Sequence, residues 1–335
     1  MFGAGAAVLA GTAKGAVARP GLFREEAREI PLDEWADVIV AGGGPAGVAA
    51  AVAAARGGKK VRLLELQGCL GGVWTAGLLT YIFDFDKSEI GWEIIRRLDA
   101  LGARKLDKTD AYNVHRDWVY EPEYMKFVCE EMCREAGVRV TLQCPVVAAY
   151  RDASGKNIET VVTESKSGRQ AWKAKVFVDC SGDGDLAALA GCGFDLGWSP
   201  EGWGQPATLN ALVVVDDGDR IAEYASNEPA MWMKAPNPDK PGTTCSHHIA
   251  ASHRLKALLR QAGVEPSYGD PTLFRMHRNL FCFMANHAYK LRVDDADAIG
   301  AATIRARKEI CTLAAALAKL GGPWTGFRVA ATAEQ

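Results

Sequence analysis

Neither sign of charge is in excess in this sequence: 39 Lys+Arg stand against 41 Asp+Glu in 335 residues, a formal net charge of -2. Without a general field of one sign, the chain has no means of concentrating a polyanion or an anionic membrane. Nucleic acid is therefore not an expected partner. Long apolar runs are missing too, because Gly, Arg or Asp interrupts each one before the ~18 residues that a spanning helix requires. No membrane span is expected. Nor is there an even, clustered set of cysteines: the nine, at 69, 129, 133, 144, 180, 192, 245, 282 and 311, are odd in number and dispersed, which implies no disulfide framework. Cys129 and Cys133 have helical i,i+4 spacing, but no second Cys or His pair completes a tetrahedral site, and no metal is expected.

What is present describes a chain with a large core and many tight turns. Apolar residues make up 48%, charged residues 24%, and there are 35 glycines. Disorder is excluded for most of the length, and ~150 residues per domain suggests one large or two interlocked domains. Glycine above its usual ~7% suits an α/β protein that wraps a ligand. At the N-terminus, Gly3 to Ala13 is small and apolar and Ala16-Val17-Ala18 looks like a signal-peptidase site, yet the basic n-region is missing. Residues 1–30 read either as a flexible leader or as the remnant of an export signal. The expected location is the cytoplasm by default, with export to the periplasm as the alternative.

The first segment with chemistry in it begins at Asp37-Val38-Ile39-Val40-Ala41, a short apolar run followed directly by Gly42-Gly43-Gly44-Pro45-Ala46-Gly47 and an Ala-rich stretch to Arg56. The pattern reads strand, tight turn, helix. Gly42 permits the reversal, Gly44 lets the backbone approach a pyrophosphate without a Cβ, and Gly47 lets the helix pack closely on the sheet. The free N–H groups and partial positive charge of the helix start then face the phosphates, with no cationic side chain needed. Gly57-Gly58 ends the helix, and Lys60-Val61-Arg62-Leu63-Leu64-Glu65 forms a second strand closing on a carboxylate 23 residues beyond Gly42. Glu65 suits acceptance of hydrogen bonds from ribose hydroxyls and disfavours a 2'-phosphate. Strand, turn, helix, strand and acid in this order are the context that a dinucleotide fingerprint demands.

A second glycine-rich stretch, Gly68-Cys69-Leu70-Gly71-Gly72-Val73-Trp74-Thr75-Ala76-Gly77, follows at once, and Val178-Asp179-Cys180-Ser181-Gly182-Asp183-Gly184-Asp185 comes later. With these segments the sequence resembles the FAD-dependent oxidoreductases of the glutathione-reductase-like, two-dinucleotide-binding fold. Within them it is most similar to a bacterial group carrying an Asp-Ala-Thr-Gly-Asp-Gly-Asp-like segment, whose Ala and Thr are here Cys180 and Ser181. The resemblance runs from about 35 to 330. It implies that Gly42, Gly43, Gly44, Pro45, Ala46 and Gly47 hold the FAD pyrophosphate, Glu65 the adenosine ribose, and Gly71 and Gly72 the length of the cofactor. It also implies that Val146, in the extended run after Val138–Leu142, lends backbone groups to the adenine, and that Gly182 and Asp183 face the cofactor.

Read from its residues alone, the later segment is a buried strand run, Lys175–Asp179, a glycine turn, and a helix Leu186–Ala190 that Asp183 or Asp185 can cap. An ordinary strand-to-helix cap remains the competing reading. Flavin disulfide reductases need two cysteines just after Gly-Gly, where this chain has Val73, Trp74, Thr75 and Ala76, so dithiol exchange is not expected. Cys69 reads as a flavin neighbour or as a small buried hydrophobe.

Helical apolar spacing marks 89–103, with Ile90, Ile94 and Leu98, and 121–136, with Tyr124, Phe127, Val128 and Met132, as core-facing helices. Alternation through Ile158, Val161, Val162, Trp172 and Val176 predicts a hairpin joined by Ser165-Lys166-Ser167-Gly168, an insert covering one side of the nucleotide domain. From about 195 to 295 the character changes: Trp198, Trp203 and Trp232 fall there, 229–241 is Pro-rich, and five of the six histidines lie beyond 240. This is the expected substrate portion. His247 and His253 can converge with His115, His277 or His287 as a base or ligand set, or all can be ordinary surface or core histidines. Asp84-Phe85-Asp86 reads first as a solvated turn. Arg275 and Arg278 are a clamp for an anionic substrate or simply rim charges.

Ala301 to Leu320 predicts a helix with Ile304, Ile310, Leu313 and Leu317 among its apolar positions. The resembled family then continues with an Arg-rich strand and a glycine-led helix returning to the flavin domain, which this chain does not supply, so a truncated product is expected. The fold expected is α/β: a Rossmann-like FAD-binding domain with β insert over 31–195, a mixed α+β substrate domain over 196–295, and a helical return over 296–335. The function expected is FAD-dependent hydride transfer with a small-molecule substrate. The alternatives are an NAD-dependent dehydrogenase, against which Gly71-Gly72 and 181–185 argue, and an inactive nucleotide-binding fragment.

Overall fold

A computed structural model describes residue 21 and residues 27–82, 89–104, 119–227 and 234–334. Asp84-Phe85-Asp86, His115, Trp232 and nearly all of 1–30 lie outside the described residues. The chain divides into two compact units, one formed by residues up to Gly72 with Cys129–Leu196, the other by Val73–Val128 with Gly197–Gln335. The fold is α/β.

The first unit contains strands β1 (Leu32–Asp33), β2 (Val38–Ala41), β3 (Val61–Leu64), β4 (Arg139–Thr141), β5 (Val146–Arg151), β6 (Ile158–Ser165), β7 (Gly168–Lys173) and β8 (Val176–Asp179). β4, β3, β2 and β8 pair in parallel in that order, with Val38 opposite both Val61 and Val176. Helix α1 (Pro45–Arg56) makes the crossover from β2 to β3 and buries Gly47, Val48, Ala51 and Val52. Alanine at the remaining positions gives high helix propensity with little bulk, so the helix lies close to its sheet. The hairpin expected over 157–178 is β6 and β7, which lie between β5 and β1 in a second sheet. Its Trp172 and Val161 pack with Ile39, Ala41 and Leu64 of the parallel sheet, so the insert does cover one side of that sheet. Trp172 is buried with its indole N–H donated to Thr163 Oγ1 at 2.7 Å. β8 corrects one expectation: among the described residues it is an edge strand, flanked by β2 alone, and Val176 is 50% exposed.

Among the described residues four longer helices follow in the chain, α2 (Glu89–Ala100), α3 (Pro122–Ala136) and, after the short α4 (Asp185–Leu189), α5 (His247–Gln261) and α6 (Ala296–Lys319). In α3 the buried stripe is Met125, Val128, Cys129, Met132 and Cys133, while Tyr124 and Phe127 point outward, a shift from the expected face. The Cys133 thiol is pushed up to about 12, chiefly by burial. In the second unit a sheet runs β12 (Thr272–His277), β13 (Leu280–Met284), β9 (Ala211–Val214), β14 (Arg328–Thr332), all antiparallel neighbours, and β10 (Lys234–Pro236) pairs with β11 (Thr244–Ser246) separately. Its core joins Val213, Phe281 and Phe283 to Leu255 and Leu259 of α5 and to Ile310, Leu313 and Leu317 of α6. Ile304 is 68% exposed and lies off that stripe. Among the described residues no helix is long and apolar enough to cross a membrane.

Candidate functional site

The glycine turn between β2 and α1 is set by backbone contacts that side chains would break. Gly42 donates its amide to Leu64 O at 2.8 Å and adopts φ +99°, a left-handed conformation. A Cβ there would run into the Cys180 carbonyl, and a Cβ on Gly47 would run into the carbonyl of Gly42. Gly44 is different. Its φ of -68° is open to any residue, and among the described residues, its own helix backbone and chain neighbours aside, no atom lies within 4 Å of where its Cβ would stand. What a side chain at 44 would fill is space in front of the helix.

That space faces the start of α1, whose N-cap is Gly44, with Pro45 in the first turn, no side-chain cap and no acidic residue. The amides of a first helical turn have no intrahelical acceptor, and the first turn itself carries no acidic side chain. The second glycine stretch folds back onto this turn: Gly71 donates to Gly43 O at 2.8 Å, and a Cβ on Gly72 would stand 3.0 Å from Gly44 Cα. Glu65, buried at the end of β3, ties the same region together. One carboxylate oxygen accepts the Gly43 amide and the other accepts the Gln67 amide at 2.6 Å. Each oxygen keeps a further lone pair for a hydroxyl donor.

At the end of β8 the expected capping by Asp183 or Asp185 is not observed. Asp179 does that work, accepting from the Ser181 hydroxyl at 2.6 Å and from the Ala187 amide at 2.8 Å, while Ser181 Oγ accepts the Asp185 amide at 2.8 Å. Gly182 and Gly184 have φ of +95° and +75° with open space around both, and Asp183 is exposed. Burial, then Asp183 and Asp179, raise the Asp185 carboxyl above its ordinary value. Val146 begins β5 opposite Thr163 and is half-buried.

Each described histidine of the candidate set sits among its own neighbours. His247 is buried with Nε2 3.0 Å from Ala225 O, and His253 Nδ1 lies 2.8 Å from an Asp239 carboxylate oxygen. His287 stacks on Tyr268 with ring centroids 4.0 Å apart, and His277 is exposed at the end of β12. Among the described residues no three His, Cys, Asp or Glu gather as a metal site. Arg275 is not a substrate clamp: it is buried, and its guanidinium is held by Asp219 at 2.6 Å and Arg278 O at 2.7 Å. The sequence reading had no signal for Asp179 as the cap or for the Tyr268–His287 pairing, since both rest on side chains that the turn conformations bring together.

The sequence profile of the FAD dependent oxidoreductase family matches residues 37–335. No curated protein matches. Among solved structures, the chain is similar to a geranylgeranyl bacteriochlorophyll reductase-like protein from Thermoplasma acidophilum, at 13% identity over 91% of this chain and 66% of that one, with a TM-score of 0.48. It is similar also to p-nitrophenol 4-monooxygenase from Pseudomonas putida, at 14% identity over 90% and 67%, TM-score 0.46. The THI4 protein of Thermovibrio ammonificans matches at 18% identity over 48% and 65%, TM-score 0.35. This chain thus spans about two thirds of the length of each.

Proposed function

The chain belongs to the FAD dependent oxidoreductase family, whose cofactor is FAD, and we propose that it transfers hydride between a small organic substrate and FAD held at the glycine turn of the first unit. The observation that carries this reading is the open space before Gly44, bounded by an uncapped helix start, by Gly72 and by the buried Glu65. The donor set fits the cofactor: helix amides for a diphosphate, a carboxylate for a ribose.

In this reading the first-turn amides of α1 bind the diphosphate, and Gly42 and Gly47 keep turn and helix close enough for those amides to converge. Glu65 orients the ribose while its bonds to Gly43 and Gln67 hold it in place. Gly71 and Gly72 line the cofactor, Gly182 and Asp183 face it, and Val146 offers backbone groups to the adenine. FAD, when bound, supplies two-electron chemistry; the protein supplies orientation and exclusion of water. Residues 196–295 are read as the substrate domain. The same proposal includes the glutathione-reductase-like subfamily, a bacterial source and a cytoplasmic location by default.

The test is an absorption spectrum of the purified protein, after reconstitution if necessary, with identification of the released cofactor. FAD is the expected result. NAD, or no nucleotide under saturating FAD, would sink the proposal.

A further inference from the structure

Beside the end of α5 the second unit carries an open cleft of about 450 Å³ whose other wall is α6. Every residue that lines it belongs to that unit. α5 stops at Gln261, and Gly263, in the left-handed region at φ +79°, turns the chain back so that the Val264 amide donates to Leu259 O at 3.1 Å. Ala262 and Val264 thereby face the cleft. On α6 the apolar lining is Ala315 and Ala316, side chains too small to close the space beside the helix.

The charges of the lining have one sign. Lys308 and Lys319 both border the cleft, and no carboxylate does. From 308 to 319 is about three turns, or about 16 Å along the helix axis, so the two cations are spread along the cleft. Among the described residues neither lysine pairs with an acid. The carboxylates nearest in sequence are taken elsewhere: Glu265 by Arg260 at 2.7 Å, and Glu309 by the amide and hydroxyl of Ser267 at 2.7 and 2.9 Å. Thr312 also lines the cleft, but its hydroxyl is donated to Lys308 O at 2.8 Å. The strong donors left are the two ammonium groups.

The volume falls within the ~300–1,000 Å³ of small-molecule sites. An apolar floor with cations and no anion along it complements a molecule that has an aliphatic body and a negative end. A cationic ligand would meet like charge, and a neutral one would gain nothing from either lysine.

We infer that this cleft binds a small amphipathic carboxylate, its aliphatic body against Ala262, Val264, Ala315 and Ala316 and its charge drawn to Lys308 and Lys319. The inference needs no flavin, since it rests on residues of the second unit alone.

Cys311 lines the same cleft and supplies the reporter. It is exposed, and so is Cys192 of the first unit, which serves as the control. Purified full-length protein is treated with iodoacetamide, a neutral reagent, with and without decanoate below its micelle concentration, and alkylation of each cysteine is followed by peptide mass spectrometry. At about ten times its dissociation constant decanoate should slow Cys311 about tenfold and leave Cys192 unchanged. Decyltrimethylammonium and decanol, with the same chain and other heads, should protect far less. Replacing both lysines, Lys308→Gln with Lys319→Gln, should weaken protection by decanoate about fivefold at an unchanged melting temperature. Equal protection by the three probes, equal slowing of Cys192, undiminished protection in the double variant, or no protection of Cys311 by decanoate would overturn the inference. So would a Cys311 that is shielded without any additive and opens on dilution, the sign of a second copy of this chain in the cleft.

Discussion

Gly43 donates its amide hydrogen to the carboxylate of Glu65, 22 residues later on the neighbouring strand. One bond thus joins the glycine turn to the acid that ends β3, and places the proposed diphosphate and ribose sites in one rigid frame. The same acid serves the fold and the site, so its removal reads out on both.

Glu65→Ala leaves two backbone amides, of Gly43 and Gln67, without their acceptor in a buried place. The expected cost is about 1–3 kcal/mol of stability, measured by denaturant unfolding of the cofactor-free protein, together with weaker FAD binding by titration. Unchanged stability would show that those amides find other partners.

Gly42→Ala and Gly47→Ala should destabilise the apoprotein by about 1–3 kcal/mol, because each new methyl meets a backbone carbonyl that cannot move away cheaply. Thermal melting checks this. A melting point equal to wild type would contradict the geometry of the turn.

Much of this turn was legible from sequence, since a glycine fingerprint between two apolar runs has few other uses. The helices 89–100 and 122–136 were legible by period, although the buried stripe of the second was read off-register: Tyr124 and Phe127 are apolar but face outward, where Met125 and Cys129 face in. Strand β8 was read as buried because Val176-Phe177-Val178 is apolar, and sequence does not encode which strand has no outer neighbour. Asp183 and Asp185 sit at capping distance in sequence, yet the left-handed Gly182 and Gly184 bend the chain so that Asp179 reaches the helix amides instead.

Arg275→Ala should lower stability by about 1–3 kcal/mol, since it leaves the Arg278 carbonyl unpaired and opens the packing against Phe281. Asp219→Ala should cost less than about 1 kcal/mol, because the aspartate side chain is 70% exposed. FAD binding should be the same in both. Urea unfolding and FAD titration of the two variants check the contrast, and loss of FAD binding with intact stability would return Arg275 to the role of a ligand clamp.

Acid should weaken the second unit through His247 and His248. Burial is the first cause of a lowered pKa in both, offset in His247 by the Ala225 carbonyl and in His248 by Asp270. With the folded value below the unfolded one, the unfolded chain binds more protons in the window between them. Their contribution is therefore complete above about pH 6.5 and is lost as pH falls through the folded values. The melting temperature should fall on acidification below that point, and less steeply in His248→Leu. An identical slope in the variant would assign the effect to other groups.

The most direct measurement is FAD occupancy of Gly44→Val beside wild type. Among the described residues, its own helix backbone and chain neighbours aside, no atom stands within 4 Å of the position a Cβ would take, so the variant should fold and melt like wild type, while a branched side chain there fills the space proposed for the diphosphate. The account predicts a folded Gly44→Val protein with FAD lost and a wild type that binds it. A folded variant carrying as much FAD as wild type would contradict it.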